Sequence, residues 1–329
     1  MAPMFDHTRD RSARRPYVPI VPAGTSAEGT GARTDLAVLE GYAKLMEETG
    51  QFRVLRRLPV PRPTPMFKAP GAKLALCVDV ETTGPDPVAD EVIELAAVPF
   101  QYADTGRILA VHEPVAQLRE PRRSIPGEVT RVTGLDADAV RGHAIDEAAL
   151  APLLAEASLV VAHNASWDRP FLERLLPAFA HLPWGCVMTQ VPWREDGASG
   201  RGLAAIAAGL GFFYDAHRAV DDCLAAIEIL GRPLPRSGAS AMERLLRNAT
   251  AVTHRVWALH SPYEARDVLR GRGYRWSNGT DGQLRAWYRD VSEDSVDREV
   301  KYLRDHILGP DADMPVSLVT AYDRFSCRG

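Results

Sequence analysis

The 329-residue sequence predicts an α/β protein: a layer sandwich around one mixed sheet, followed by a small α+β module. Three observations carry this prediction. The short apolar run LALCVDV (74–80) leads directly into acidic residues, as a buried central strand does. EVIELAAVPFQY (91–102) and RILAVHEPV (107–115) flank the turn ADTG, which predicts a hairpin. Beyond it, helix-like and strand-like segments alternate, the pattern of helices layered on a sheet.

The elements follow in order. Residues 1–34 are rich in Arg, Pro, Gly, Ser and Thr without periodicity and read as disordered. DLAVLEGYAKLMEETG (35–50) has a capping Asp35, helically spaced apolar residues and a closing Gly50, which predicts a helix. PVPRPTPMFKAPG, a proline-rich linker, completes the 35–72 segment. A main domain is expected over 73–234. In it ASLVVAHN (157–164) is a second buried strand and SWDRPFLERLLPAF (166–179) an amphipathic helix with Ser166 as its cap. GLAAIAAGLGF and AVDDCLAAIEILGR are also helical, and PLPRSGAS (233–240) is a linker. The module at 241–329 reads as strand, helix, hairpin around SNGTDG, helix at 292–308, and a last strand near SLVTAY.

With 46% hydrophobic and 25% charged residues, the composition is that of a soluble globular protein. No apolar run approaches the roughly 18 to 20 residues of a membrane span, and MAPMFDHTRD lacks a secretory pattern. Cys77, Cys186, Cys223 and Cys327 form no CxxC pair. That argues against a zinc site or disulfide framework and for a cytoplasmic protein. The net charge of −4 divides into +4 over 1–72, −10 over 73–234 and +2 over 235–329. An acidic centre does not suit nucleic-acid binding through lysines alone. It suits bound cations, and equally a plain acidic domain.

Asp79 and Glu81 stand two apart in VDVETTG, so on a strand they share one face. Two buried carboxylates side by side are costly unless something positive lies between them, and a divalent cation with oxygen ligands fits. The other reading is a polar strand end at the surface. Asp168 lies just past a strand, in the first turn of a helix, where α/β sheets build their sites and where any carboxylate also suits the helix dipole. HRAVDDC (217–223) offers one more helix-start carboxylate, Asp221 or Asp222, beside His217. Four such carboxylates can hold two Mg²⁺ or Mn²⁺ ions, and a neutral imidazole can accept a proton near neutral pH.

VDVETTGP, HNASWDRPFL and HRAVDDC resemble, in order, the three motifs of the DEDDh family of 3′–5′ exonucleases, the group of the bacterial polymerase III epsilon subunit. The resemblance covers about 74–232. It falls on Asp79, Glu81, Thr82, Thr83 and Gly84, then on His163, Asn164, Ala165 and Asp168. Trp167 stands where many members have phenylalanine. The spacing of the third motif selects Asp222 over Asp221, and His217 marks the histidine-type subgroup.

The resemblance implies a ribonuclease H-like fold with a mixed five-stranded sheet flanked by helices, and Glu94 in a structural role. It implies two Mg²⁺ (or Mn²⁺) ions held by Asp79, Glu81, Asp168 and Asp222, with Glu81 orienting the attacking water and His217 as general base. Thr82 and Thr83 would meet the 3′ end. Asn164 and Phe171 would meet the sugar or base, though Phe171 fits helix core as well. The expected activity is removal of nucleoside 5′-monophosphates from nucleic-acid 3′ ends, single-stranded DNA first, in repair or proofreading. The alternatives are an RNA-trimming exoribonuclease and an inactive nucleic-acid-binding module. The remaining residues leave no room for a polymerase, so proofreading would need a separate polymerase or repair factor as partner.

In the C-terminal module YRW (274–276) and RAWYR (285–289) interleave aromatics with arginines, preceded by Arg266, Arg270 and Arg272. Such a set can stack bases and follow phosphates. Alternatively Trp276 and Trp287 form the core of a small hairpin. The stretch resembles a small family of unknown function often joined to nucleic-acid enzymes, which suggests an accessory role.

Overall fold

A computed structural model describes residues 35–59, 64, 66–67, 69–279 and 283–328. The expected disordered segment 1–34 lies outside the described residues, as does part of the proline-rich stretch. The chain forms two compact units, Met1–Val54 and Leu55–Gly329. The described part of the first, residues 35–54, contains helix α1, Leu36–Glu48, capped as expected by Asp35, which accepts from the Ala37 N–H at 3.0 Å.

The second unit is built on strand β1, Lys73–Thr82. β2 (Val92–Tyr102) pairs with β1 antiparallel. β3 (Ile108–Val111) and β4 (Val115–Leu118) both pair antiparallel with β2. They occupy one position in the sheet, divided at Pro114, which has no N–H to donate to a ladder. On the other side of β1, β5 (Leu159–Ala162) and β6 (Trp184–Cys186) run parallel. The order is β3/β4–β2–β1–β5–β6. The expected mixed five-stranded sheet is therefore present, as six strands in five positions.

β2 is buried along its whole length, so both sheet faces must be covered. Helices α2 (Glu147–Glu156) and α3 (Ala165–Leu175) cover the face that carries Leu76, Val78 and Val80. Helices α4 (Leu203–Gly209) and α5 (Ala219–Gly231) cover the face that carries Ala75 and Cys77. This alternation sends Asp79 and Glu81 to the side of α5. Helix α6 (Ala241–Thr250) is capped by Ser240 and joins the same core through Met242, Leu245 and Ala249. It lies so close to β6 that a Cβ on Gly185 would sit 2.9 Å from a Leu245 methyl.

Some local expectations need correction. Ser166 does not cap α3: Asn164 holds the N-cap position, and no side chain caps the helix. The helix ends at Leu175 rather than Phe179, because Leu176 turns extended before Pro177 opens a 3₁₀ turn over Pro177–His181. The 233–240 stretch is an ordered turn. The Asp196 carboxylate fastens it, accepting from the N–H groups of Arg236 (3.1 Å) and Ser237 (2.8 Å).

The C-terminal part has a four-stranded antiparallel sheet. β7 (Thr253–Ala258) lies between β9 (Trp287–Val291) and β10 (Val316–Val319), and β8 (Arg275–Trp276) is at the edge. Helix α7 (Arg266–Gly271) precedes the expected hairpin, in which Trp276 faces Trp287. The helix expected at 292–308 is broken. A 3₁₀ turn at Glu293–Ser295 leads into α8 (Val296–Leu303) and a wider turn to Leu308. No helix among the described residues is long and apolar enough to cross a membrane.

Candidate active site

The site forms where β1 ends and helices α3 and α5 begin. Carboxylate oxygens of Asp79, Glu81 and Asp222 all lie within 4.8 Å of one another. Asp79 and Glu81 reach this point because they are two apart on one strand, and Asp222 because it lies in the first turn of α5. Asp168 stands beside them, 2% exposed, and its Oδ1 accepts from the Val80 N–H at 3.2 Å. That bond ties the start of α3 to the end of β1. Asp221, next to Asp222, is not part of that trio.

Burial and mutual repulsion raise the pKa of each carboxyl. Asp79 is pushed well above the usual carboxylate range, first by burial and then by the charges of Asp168, Asp222 and Glu81. Burial also raises Glu81 to about 8, with Asp222 and Glu94 adding to it and Arg218 opposing. Asp168 rises to about 8, again chiefly through burial. Asp222 is raised by burial too, against hydrogen bonds from Tyr214 and the His217 backbone. Four carboxyls that repel one another, with oxygen as the donor set, match a hard divalent cation.

The loop before α5 holds Asp222 in place. Tyr214 donates its hydroxyl to Oδ1 at 2.9 Å, and the His217 N–H donates to Oδ2 at 2.8 Å. His217 takes a φ of 69°, a region where histidine is among the better tolerated residues. Its side chain is exposed at the rim of the site. Glu94, expected to be structural, is 3% exposed on β2. It accepts from Arg218 at 2.9 Å and from the Ala219 N–H at 3.4 Å, so it anchors the start of α5.

The remaining expected residues divide. Thr82 and Thr83 are buried and their hydroxyls serve the turn: Thr82 donates to the Gly84 carbonyl (2.7 Å) and Thr83 to Asp90 (3.2 Å). Asn164 is half-buried at the start of α3, and its side chain makes no capping bond. Phe171 is 4% exposed in the core, 5.8 Å between ring centres from Trp167, so the core alternative describes most of its surface. Tyr214 and Arg218 had not been anticipated. GFFYDAH reads as an apolar run entering a turn, with nothing in its spacing to assign the tyrosine a polar task.

Residues 76–230 match the family model described as Exonuclease. A DNA polymerase III of PolC type from Thermotoga maritima is 30% identical over 167 residues, which cover 47% of this chain and 11% of that protein. This chain thus spans about a tenth of that relative's length. Among solved structures, exonuclease X in complex with 5′-overhanging duplex DNA is similar with a TM-score of 0.36 and 22% identity, over 51% of this chain and 99% of that one. E. coli exonuclease I with a dA16 oligonucleotide gives 0.44 and 16%, over 76% and 64%. Residues 76–230, just under half of the chain, are thus similar to an exonuclease domain, and the carboxylates that converge all lie within that stretch.

Proposed function

We propose that this protein is a metal-dependent 3′–5′ exonuclease that releases nucleoside 5′-monophosphates from nucleic acid, with DNA as its substrate. The convergence of Asp79, Glu81 and Asp222 within 4.8 Å, beside buried Asp168, carries the reading. Two Mg²⁺ or Mn²⁺ ions held by these four carboxylates would offset charge on the scissile phosphate and acidify the attacking water. Glu81 orients that water. His217, exposed at the rim, accepts its proton. Tyr214 and the His217 N–H fix the rotamer of Asp222, so its carboxylate is in place before substrate arrives. Asn164 and the Thr82–Thr83 turn form the wall against which the terminal nucleotide rests. In this reading 73–234 is the catalytic domain and 241–329 an accessory part. Trp276, 47% exposed on its hairpin beside Arg275, is available for stacking in that part. The choice of DNA rests on the DNA polymerase to which the chain is 30% identical over 167 residues, and a role in repair or proofreading would follow from it.

Digestion of matched fluorescent DNA and RNA oligonucleotides, single-stranded and duplex, with Mg²⁺ or Mn²⁺ tests this. Wild-type protein shortens the DNA from its 3′ end, and Asp79→Ala and Asp222→Asn abolish this while the far-ultraviolet circular dichroism stays unchanged. Near-wild-type activity in either variant refutes the assignment, and faster digestion of the RNA replaces DNA with RNA as substrate.

A further inference from the structure

A cavity of about 350 Å³ opens beside the site, between the loop that follows Thr83, the outer turn of α3 and the segment after β4. Four arginines line it: Arg119, Arg122, Arg123 and Arg174. Two of them build its walls. Arg119 donates to the Glu91 carboxylate at 2.9 Å. Arg174 donates to the carbonyls of Pro87 and Val88, which fixes the loop against α3. Arg122 and Arg123 do neither. Both are exposed, and among the described residues neither side chain meets a carboxylate. The two acidic residues of the lining are already engaged: Glu91 accepts from Arg119 and the Arg122 N–H, and Asp90 from Thr83 and the Asp86 N–H. The lining therefore carries two more positive charges than negative ones, in a region whose overall charge is strongly negative.

We propose that this cavity is an anion subsite for backbone phosphates of the nucleic acid beyond the scissile one. The inference rests on the exonuclease reading and extends it. Arginine forks match phosphate oxygens two at a time. The four carboxylates repel every phosphate that metal ions do not cover, so a polyanion needs separate positive contacts next to them. The loop joins the two places. It starts just past Glu81, where the Thr82 and Thr83 hydroxyls bond within the turn, and its last residues, 87–92, wall the cavity. Phe171, one helical turn after Asp168 on α3, touches the cavity from the same helix.

The test is binding of a fluorescent single-stranded 12-mer, and of a duplex with a recessed 3′ end, by anisotropy in EDTA across a salt series. Arg122→Ala/Arg123→Ala weakens binding of one or both about tenfold or more at low salt. It also makes the log–log salt slope shallower by about 1.4 for single strands, about 0.7 for each lost contact. A second readout compares kcat/KM on the 12-mer with that on the p-nitrophenyl ester of thymidine 5′-monophosphate, which has no further phosphate. The double variant lowers this ratio about tenfold. Unchanged affinity and an unchanged ratio overturn the subsite. A wild-type protein that binds through these arginines yet hydrolyses neither substrate leaves the subsite standing and removes the exonuclease reading instead.

Discussion

The Tyr214 hydroxyl donates to Oδ1 of Asp222 at 2.9 Å, while the His217 N–H donates to Oδ2 at 2.8 Å. One carboxylate is thus clamped on both oxygens by the loop that carries the candidate base. A carboxylate oxygen has a second lone pair for a cation, so the clamp orients Asp222 without using it up. Partners of this kind, behind a metal ligand, typically change metal affinity 10- to 100-fold when removed. Tyr214→Phe keeps the ring and removes the donor. Its Mg²⁺ half-saturation for nuclease activity should rise at least tenfold, with little change at saturating metal. An unaltered metal titration would show the tyrosine to be mere packing.

If His217 is the general base, as proposed, its loss should be felt in proton transfer rather than in metal binding. Replacing a general base typically costs 10²- to 10⁴-fold. His217→Ala should lower kcat by about that factor and leave the Mg²⁺ half-saturation close to wild type, since its backbone N–H, the contact to Asp222, survives the substitution. A large shift in metal requirement with unchanged kcat would transfer its role from catalysis to the support of Asp222.

Without cations, burial and mutual repulsion of the carboxyls should oppose folding, and a pH profile tests this. Glu81 and Asp168 have native pKa values of about 8, well above those of free carboxyls. Between roughly pH 4.5 and 8 the native state therefore holds protons that the unfolded chain has released. Stability then falls as pH rises through that window. In EDTA the melting temperature should decline from pH 5 to pH 8. Added Mg²⁺ or Mn²⁺ should restore it at pH 8 and do little at pH 5, where the carboxyls are protonated. A flat profile, or equal rescue at both values, would mean that neither burial nor mutual repulsion raises these carboxyls.

Much of this site was legible because its signals are local. Asp79 and Glu81 share a strand face by period two alone, and Asp168 and Asp222 fall in first helical turns, where the motif resemblance chose Asp222 over Asp221. What was not legible depends on distant partners. Glu94 looks like one polar residue in an apolar strand until Arg218, 124 residues away, meets it. The end of α3 was misplaced because apolar spacing continues through Phe179, whereas the backbone turns at Leu176 ahead of Pro177. The 233–240 stretch has the composition of a linker, and only the Asp196 carboxylate makes it an ordered turn.

The Glu94–Arg218 pair offers a test of how α5 is held. Glu94 has almost no contact with water, and Arg218 is partly exposed. Removing one partner of a buried pair typically costs about 3–5 kcal/mol, less here because Arg218 regains some hydration. Glu94→Gln retains size and one acceptor. It should lower stability by about 1–3 kcal/mol in urea unfolding and reduce activity, because the start of α5 positions Asp222. Full stability and activity would leave the helix anchored by its apolar face alone.

Arg169, the neighbour of Asp168, is wholly buried and works in the opposite direction. It pairs with Glu173 at 2.6 Å and donates to the carbonyls of Ala321, Tyr322 and Arg324. Those carbonyls belong to the C-terminal segment, which also accepts from the Trp184 N–H at 2.8 Å and sends Ser326 and Arg328 to Glu173. Residues 320–328 are thus stitched to the helix that carries Asp168. Arg169→Met fills most of the volume but leaves the three carbonyls without these donors, at about 1–3 kcal/mol for each group that stays buried and unsatisfied. The variant should melt several degrees lower, since each kcal/mol moves the melting temperature by at most about 2–4 °C in a chain longer than 250 residues, and the 320–328 amides should lose protection from hydrogen exchange first. If the melting temperature holds and those amides stay protected, the tail is secured by its own contacts and the arginine is dispensable.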